Sequence, residues 1–348
     1  MAPWMLYGAN GYTGQLIARE AVRRGLAPTL AGRDPDKVGA IAQELGLAHR
    51  VFALDRAEDW RGQLDGMALV LHCAGPFSAT GLPMMERCLR SGAHYLDITG
   101  EIDVFEQAHA RDAQARAAGV LLCPGVGFDV VPTDCVAAAL KDALPEATHL
   151  RLGFDTRSAV SPGTAKTAAE GIALGGRVRR DGRIVRVPHG HRTRRIDFGA
   201  GLRTVVTIAW GDVSTAFHTT GIPNIEVYAA VPPAVALAAT FGNLLGPLMA
   251  LPLVRDAVAR RAGTMRGPDA DARAGRAAFV WGEVEGAGLR RTCRMRTANG
   301  YDFTISSALG VVASVLGRPP PPGFCTPSRL MGQDFASGLP GSSAMVMT

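Results

Sequence analysis

Gly8-Ala-Asn-Gly-Tyr-Thr-Gly14 decides the fold. Three glycines stand three residues apart, directly after the apolar run Trp4-Met-Leu-Tyr7. They open an amphipathic stretch from Thr13 to Arg24, with Leu16, Ile17, Ala21 and Val22 at helical spacing. A strand, a glycine turn and a helix in this order gather backbone N–H groups at a helix N-terminus, which suits a pyrophosphate. Gly8 permits a sharp turn, Gly11 a close approach of ligand to backbone, and Gly14 close packing of helix on strand. The spacing is GxxGxxG rather than GxGxxG, so its meaning depends on the neighbouring elements. Asn10, Tyr12 and Thr13 fill the turn and are further candidate contacts.

Strands alternate with helices downstream of this turn. Thr29-Leu-Ala31 reads as a second strand and ends in Gly32-Arg33. In a dinucleotide-binding unit an acid at this point takes the ribose 2′-OH of NAD, whereas an arginine accommodates the 2′-phosphate of NADP. No acid ends the strand, and Asp34-Pro35 reads as a helix N-cap with proline at the first helical position. Arg33 therefore predicts NADP(H). The helix from Pro35 closes near Gly46, and Arg50–Leu54 is a third strand, with Asp55 at the edge where an adenine would lie.

Ala68–His72 is a fourth strand and runs into Cys73-Ala74-Gly75-Pro76-Phe77, a tight small-residue loop placed to face the ligand crevice. A helix is expected over Leu82–Ser91. His94-Tyr95-Leu-Asp97 is a fifth strand leading to Thr99-Gly-Glu101, with Asp103 as the cap of a helix reaching Gly119. Val120–Cys123 is a sixth strand, succeeded by Gly127-Phe128-Asp129. The alternation predicts an α/β fold: a doubly wound Rossmann sheet of parallel strands over residues 1–134.

Beyond Asp134 the pattern changes. Thr148–Thr156 is strand-like, Asp181-Gly182 marks a hairpin between Arg177–Arg180 and Ile184–Val187, and 204–208, 225–230, 277–285 and 289–297 read as further strands. This predicts an inserted α+β domain over 135–300, mostly antiparallel, for substrate binding or dimerisation. Asp302–Gly317 reads as a helix by periodicity and Thr326–Ala336 as a short final helix, with the last dozen residues frayed.

Composition narrows the class. Hydrophobic residues make up 47% and charged residues 20%, the balance of a folded chain with sizeable cores. The net charge of +6 comes from 34 arginines and three lysines, dispersed except at 177–195 and without aromatic interleaving. That argues against nucleic acid as partner and for a small-molecule ligand, with an anionic one suited to the basic balance. Six cysteines form no CxxC pair, no metal-ligand spacing occurs, and no signal peptide precedes the first strand. A reduced, cytoplasmic protein without a metal is expected. Val227–Val254 carries no charge, but Pro232, Pro233, Pro247 and Pro252 interrupt it. Its longest uninterrupted piece, Ala234–Gly246, is too short to span a bilayer. A lid, a homodimer face or a shallow membrane or lipid contact is the expectation there.

Six segments together resemble the saccharopine dehydrogenase-like oxidoreductases, especially the branch that includes trans-acting enoyl reductases. They are Gly8–Gly14, Ala31-Gly-Arg33, Ala74-Gly-Pro-Phe77, His94-Tyr-Leu-Asp-Ile-Thr-Gly-Glu101, Gly127-Phe-Asp-Val-Val-Pro-Thr-Asp134 and Phe324-Cys-Thr-Pro-Ser328. The resemblance is dense over 4–135, thinner in the middle, and returns near the C-terminus. It implies an NADPH-binding Rossmann domain, an inserted second domain, C-terminal helices over 301–348 that pack back on the Rossmann domain, and an enzyme that reduces C=N or conjugated C=C bonds. The charge-free run favours an apolar or lipid-like substrate. The strand-end loops supply candidates for orienting substrate or relaying a proton: Tyr95, Asp97, Glu101 and Asp129. Lys166, one of three lysines, lies in the loop entering the second domain and could protonate a product or bind an anionic group. The alternative is a non-catalytic NADP-binding protein associated with a membrane or a partner.

Overall fold

A computed structural model describes residues 2–55, 60, 62–156, 175–236 and 275–348. The chain divides into two compact units, Met1–Phe128 with Thr304–Leu330, and Asp129–Phe303 with Met331–Thr348.

The first unit is built on seven parallel strands: β1 (Trp4–Tyr7), β2 (Thr29–Gly32), β3 (His49–Val51), β4 (Leu69–His72), β5 (His94–Asp97), β6 (Leu121–Cys123) and, late in the chain, β15 (Gly323–Phe324). Their spatial order is β15-β6-β5-β4-β1-β2-β3. The order reverses between β1 and β4, which is the topological switch point of a Rossmann sheet. Both faces are covered, so the strands read as continuous apolar runs; all four residues of β1 and of β4 are buried. One face packs Met5, Tyr7, Val70, Tyr95 and Leu122 into a single cluster with Met84, Met85 and Val104.

The helices begin where local chemistry allows, with one informative exception. Helix α1 (Tyr12–Arg23) starts after Gly11, and α2 (Pro35–Leu45) is capped by Asp34, whose side chain accepts from Lys37 N–H, and ends on left-handed Gly46. Helix α3 (Phe77–Ser91) starts five residues before the expected Leu82 and carries Pro83 inside it. Its first N–H groups are satisfied from a distant acid, which no local pattern around Pro76 reveals. The helix expected over 103–119 is two pieces, α4 (Ile102–His109) and α5 (Asp112–Ala117), and Asp103 lies in the first turn of α4 rather than capping it.

The second unit holds a nine-stranded mixed sheet. Its strands are β7 (His149–Asp155), β8 (Gly176–Arg180), β9 (Arg183–Val187), β10 (Thr193–Asp197), β11 (Leu202–Ile208), β12 (Asn224–Ala230), β13 (Ala278–Gly286), β14 (Leu289–Thr297) and β16 (Val346–Met347). All pairings are antiparallel except β7 with β12. The Asp181-Gly182 turn has both residues at positive φ, the geometry of a two-residue hairpin. Helix α6 (Val131–Ala143) and the helix Asp212–Thr220 lie against this sheet. Gly282 in β13 makes room for the first of them: a Cβ there would stand 2.6 Å from both Leu140 and Val136 of α6.

The C-terminal region does not return to the first unit as one piece. Thr304–Leu330 belongs to the first unit, but Met331–Thr348 belongs to the second. Nor does the chain end fray, since β16 pairs with Cys293 and Arg294 of β14. The helix Gly300–Gly317 is, among the described residues, the one long and apolar enough to cross a membrane. Phe303, Ala308, Leu309, Val311, Val312 and Val315 on it are buried within the chain. Of the charge-free run, the first residues form the end of β12, and 237–254 lie outside the described residues.

Candidate active site

The glycine turn meets its requirements in detail. Gly8 has φ +84°, and a Cβ there would stand 2.7 Å from Ala74 N and 2.8 Å from Cys73 C, both backbone atoms. A Cβ at Gly14 would overlap the Gly8 carbonyl. The turn is closed by Gly11 N–H donating to Gly8 O at 3.0 Å, and the Gly8 and Ala9 N–H groups both donate to Ala31 O. Asn10 covers the end of β2: its Oδ1 lies 2.8 Å from where a Cβ of Gly32 would be. Gly11 is exposed, and Tyr12 and Thr13 are half-buried in the first turn of α1. No side chain caps α1 and no acid sits in its first turn. The cradle thus has the backbone space and the uncapped positive helix end that a pyrophosphate needs.

The other predicted cofactor residues lie along the same sheet edge. Arg33 and Asp55 are exposed just beyond β2 and β3, and both act electrostatically on the Tyr7 hydroxyl, Arg33 lowering its pKa and Asp55 raising it. Burial dominates, raising that hydroxyl above its ordinary range, and it donates to Phe52 O at 3.0 Å.

Cys73, Ala74, Gly75, Pro76 and Phe77 come directly after β4. Burial raises the Cys73 thiol, so it is not a thiolate nucleophile near neutrality. His72, fully buried at the strand end, is pushed down to about 3 by burial and is therefore neutral. Its Nε2 lies 3.0 Å from Thr80 Oγ1, which also lies within hydrogen-bond distance of Ala74 O and Pro76 O. His72 is thus a hydrogen-bonded core histidine that steadies the loop through Thr80.

Tyr95 and Asp97 are brought together, but inward. Both are completely buried. Tyr95 O–H donates to Asp97 Oδ2 at 2.6 Å, while Asp97 Oδ1 accepts from Thr99 N at 2.9 Å and Gly125 N at 2.8 Å. Burial raises Asp97 to about 6 against these hydrogen bonds, and nearby Glu101 adds repulsion. The pair fastens the loops after β5 and β6. Gly127 and Phe128 continue the second of these loops and are held by the helix Gly300–Gly317. Phe128 N–H donates to Thr304 Oγ1 at 3.0 Å, Ser307 Oγ donates to Val126 O at 2.8 Å, and a Cβ on Gly127 would stand 3.0 Å from Thr304 Cγ2.

Thr80, Thr304 and Ser307 are absent from the site residues expected from sequence. Thr80 acts on residues four to eight positions before it, whereas Thr304 and Ser307 act on a segment that only the folded chain brings to them, and spacing carries no sign of that contact. Glu101 is a sequence candidate for orienting substrate or relaying a proton, but its carboxylate is turned to the backbone of α3.

In the second unit, half-buried Asp129 uses its carbonyl to accept from Trp210 Nε1 at 2.6 Å. Behind it are two buried carboxylates. Asp134 Oδ1 accepts from Thr219 Oγ1 at 2.6 Å. Among the described residues no hydrogen bond of good geometry reaches either Asp212 oxygen: the neighbouring Thr133 hydroxyl, which works to lower the Asp212 pKa, is turned to Val130 O at 2.9 Å. Burial raises Asp212 well above the usual carboxylate range, and Asp134 and Asp129 add to the rise. Lys166 lies outside the described residues. Among the described residues no group of His, Cys, Asp and Glu could hold a metal.

With this geometry in place, the family model of the saccharopine dehydrogenase NADP-binding domain matches residues 4–123. Residues 4–123 are thus similar to a saccharopine dehydrogenase-type NADP-binding domain. The chain is 32% identical to the saccharopine dehydrogenase-like oxidoreductase of Mus musculus over 37% of this chain and 35% of that one. It is likewise 32% identical to the trans-acting enoyl reductase of Mycobacterium ulcerans, over 37% of this chain and 33% of that one. These matches span about a third of the curated relatives' length. The fold as a whole resembles saccharopine dehydrogenase (L-Glu forming) of Saccharomyces cerevisiae, with TM-score 0.65, 11% identity and full coverage of both chains. It also resembles homospermidine synthase of Legionella pneumophila, solved with NAD, with TM-score 0.67, 11% identity, and coverage of 100% of this chain and 91% of that one. The sequence match is to an NADP-binding domain over residues 4–123, and the solved structures speak for the fold alone.

Proposed function

We propose that this protein is an NADP(H)-dependent oxidoreductase that reduces a C=N or conjugated C=C bond of a small, apolar or lipid-like molecule. The observation that carries the proposal is the glycine cradle at the β1/β4 switch point, in which Gly8 and Gly14 have no room for a side chain. Gly8, Gly11 and Gly14 would hold the pyrophosphate, Arg33 the 2′-phosphate, and Asp55 the adenosine end. Cys73–Phe77, Gly127 and Phe128 would border the nicotinamide half. When bound, NADPH supplies the hydride.

The chain's own part is to bind, orient and manage a proton. Tyr95 and Asp97 do this indirectly, by fixing the strand-end loops. Asp129, which is half-buried, and Lys166, which lies outside the described residues, are the proposed groups for substrate contact or proton delivery. Curated relatives named trans-acting enoyl reductase support the C=C side of the proposal. The charge-free run 227–254 supports an apolar substrate.

Steady-state oxidation of NADPH with a panel of cyclic imines and enoyl thioesters tests the proposal. Turnover of one class identifies the bond reduced. NADPH that fails to bind in a fluorescence titration would sink it. The burial of Tyr95 and Asp97 favours one second reading, a non-catalytic NADP-binding protein associated with a membrane or partner. Binding without turnover, together with vesicle flotation lost on deleting 234–246, would support that reading.

A further inference from the structure

Two helices begin at the switch point, and their N-termini are treated in opposite ways. Strands β1 and β4 are neighbours and parallel, so α1 and α3 both start beyond the same sheet edge. α1 has no side-chain cap. α3 begins after Pro76, which has no capping side chain, yet its first N–H groups are taken by the carboxylate of Glu101. Phe77 N–H donates to Glu101 Oε1 at 2.9 Å, and Ser78 N–H to Oε2 at 2.6 Å.

Glu101 reaches α3 from the loop after β5, 23 and 24 residues further along the chain. It is itself held in place. Glu101 N–H donates to Thr99 Oγ1 at 3.0 Å, Thr99 N–H donates to Asp97 Oδ1, and Tyr95 O–H donates to Asp97 Oδ2. An unbroken relay therefore runs from the core of β5 to the first turn of α3. A cap needed only for helix stability is ordinarily local, at the N-cap residue itself. A cap delivered across strands instead fixes the end of the Cys73–Phe77 loop relative to β5. It also neutralises one of two adjacent positive helix ends, leaving α1 as the one open to a phosphate.

We propose that Glu101 is a positioning residue: by closing the N-terminus of α3 it sets the Cys73–Phe77 loop for the nicotinamide half of NADP(H). The proposal rests on the cofactor reading above. The test titrates the full chain with NADPH and with 2′,5′-ADP, which keeps the adenosine half and lacks the nicotinamide. Glu101→Ala is expected to weaken NADPH by about tenfold or more while 2′,5′-ADP changes by less than about twofold. Glu101→Gln keeps one carbonyl acceptor and is expected to fall between Ala and the natural residue; it also serves if the alanine variant folds poorly. A purely structural role would weaken both ligands alike. Equal weakening, or no weakening of NADPH, overturns the proposal. If the natural chain binds neither ligand, the cofactor reading fails, and the proposal fails with it.

Discussion

The Tyr95 hydroxyl donates to Oδ2 of Asp97 at 2.6 Å, and both residues are sealed from solvent. The carboxylate is raised from 3.8 to about 6, chiefly by burial. The folded-state pKa lies above the unfolded value, so the unfolded chain ionises first as pH rises. The resulting destabilisation starts above pH 3.8 and is complete somewhat above pH 6. It amounts to about 3 kcal/mol at full extent. Asp97→Asn removes this ionisation. Measured by chemical denaturation, its stability relative to the natural chain should improve between about pH 4 and pH 8 by that order. A difference that stays flat with pH would show that Asp97 is not the titrating group.

Asp212 offers the same test in the second unit, where burial outweighs the lowering by the nearby Thr133 hydroxyl. Its carboxylate is raised well above 3.8, so its cost likewise appears as pH rises above that value. Asp212→Asn should raise the melting temperature at about pH 8 and give little gain at about pH 4. A lower melting temperature at both pH values would mean that the negative charge is needed.

Gly14→Ala places a methyl group onto the Gly8 carbonyl, a backbone atom that cannot swing aside. Overpacking of this kind costs about 1–3 kcal/mol. The expected result is a lower denaturation midpoint together with loss of NADPH binding. Retention of both would show that α1 can slide on β1.

Arg33→Ala removes the exposed guanidinium beyond β2. Affinity for NADPH should fall by about ten- to hundredfold while affinity for NADH changes little. Equal weakening of the two cofactors in parallel titrations would remove Arg33 as the 2′-phosphate contact.

Much of the first unit is legible in the sequence because its signals are local. Glycine spacing, the Asp34-Pro35 start of α2 and the apolar runs of β1 and β4 each act within a few residues. The hairpin at Asp181-Gly182 is legible for the same reason. The start of α3 is not, since its N–H groups bond to Glu101 more than twenty residues away. Tyr95 and Asp97 carry the residue types of catalysis, and their alternation along β5 does not say whether they face a ligand or the loops. The anchoring of Gly127 and Phe128 by Thr304 depends on a contact 176 residues apart in the chain. Strand β16 is hidden too, because two residues are too few to show a period.

The pairing of β15 with β6 has a practical consequence for dissecting the protein. A fragment cut at the end of the family match, Cys123, would lack Gly323–Phe324 and leave bare the edge of β6 that faces away from β5. It would also lose Gly127 and Phe128 themselves, together with the helical segment that holds them. Such a fragment presents an open sheet edge, a template for self-association. The nucleotide-binding half of this chain is therefore not transplantable as an N-terminal piece. Its sixth and seventh strands, β6 and β15, lie some two hundred residues apart, and a working excision has to join Phe128 to Thr304 with a linker.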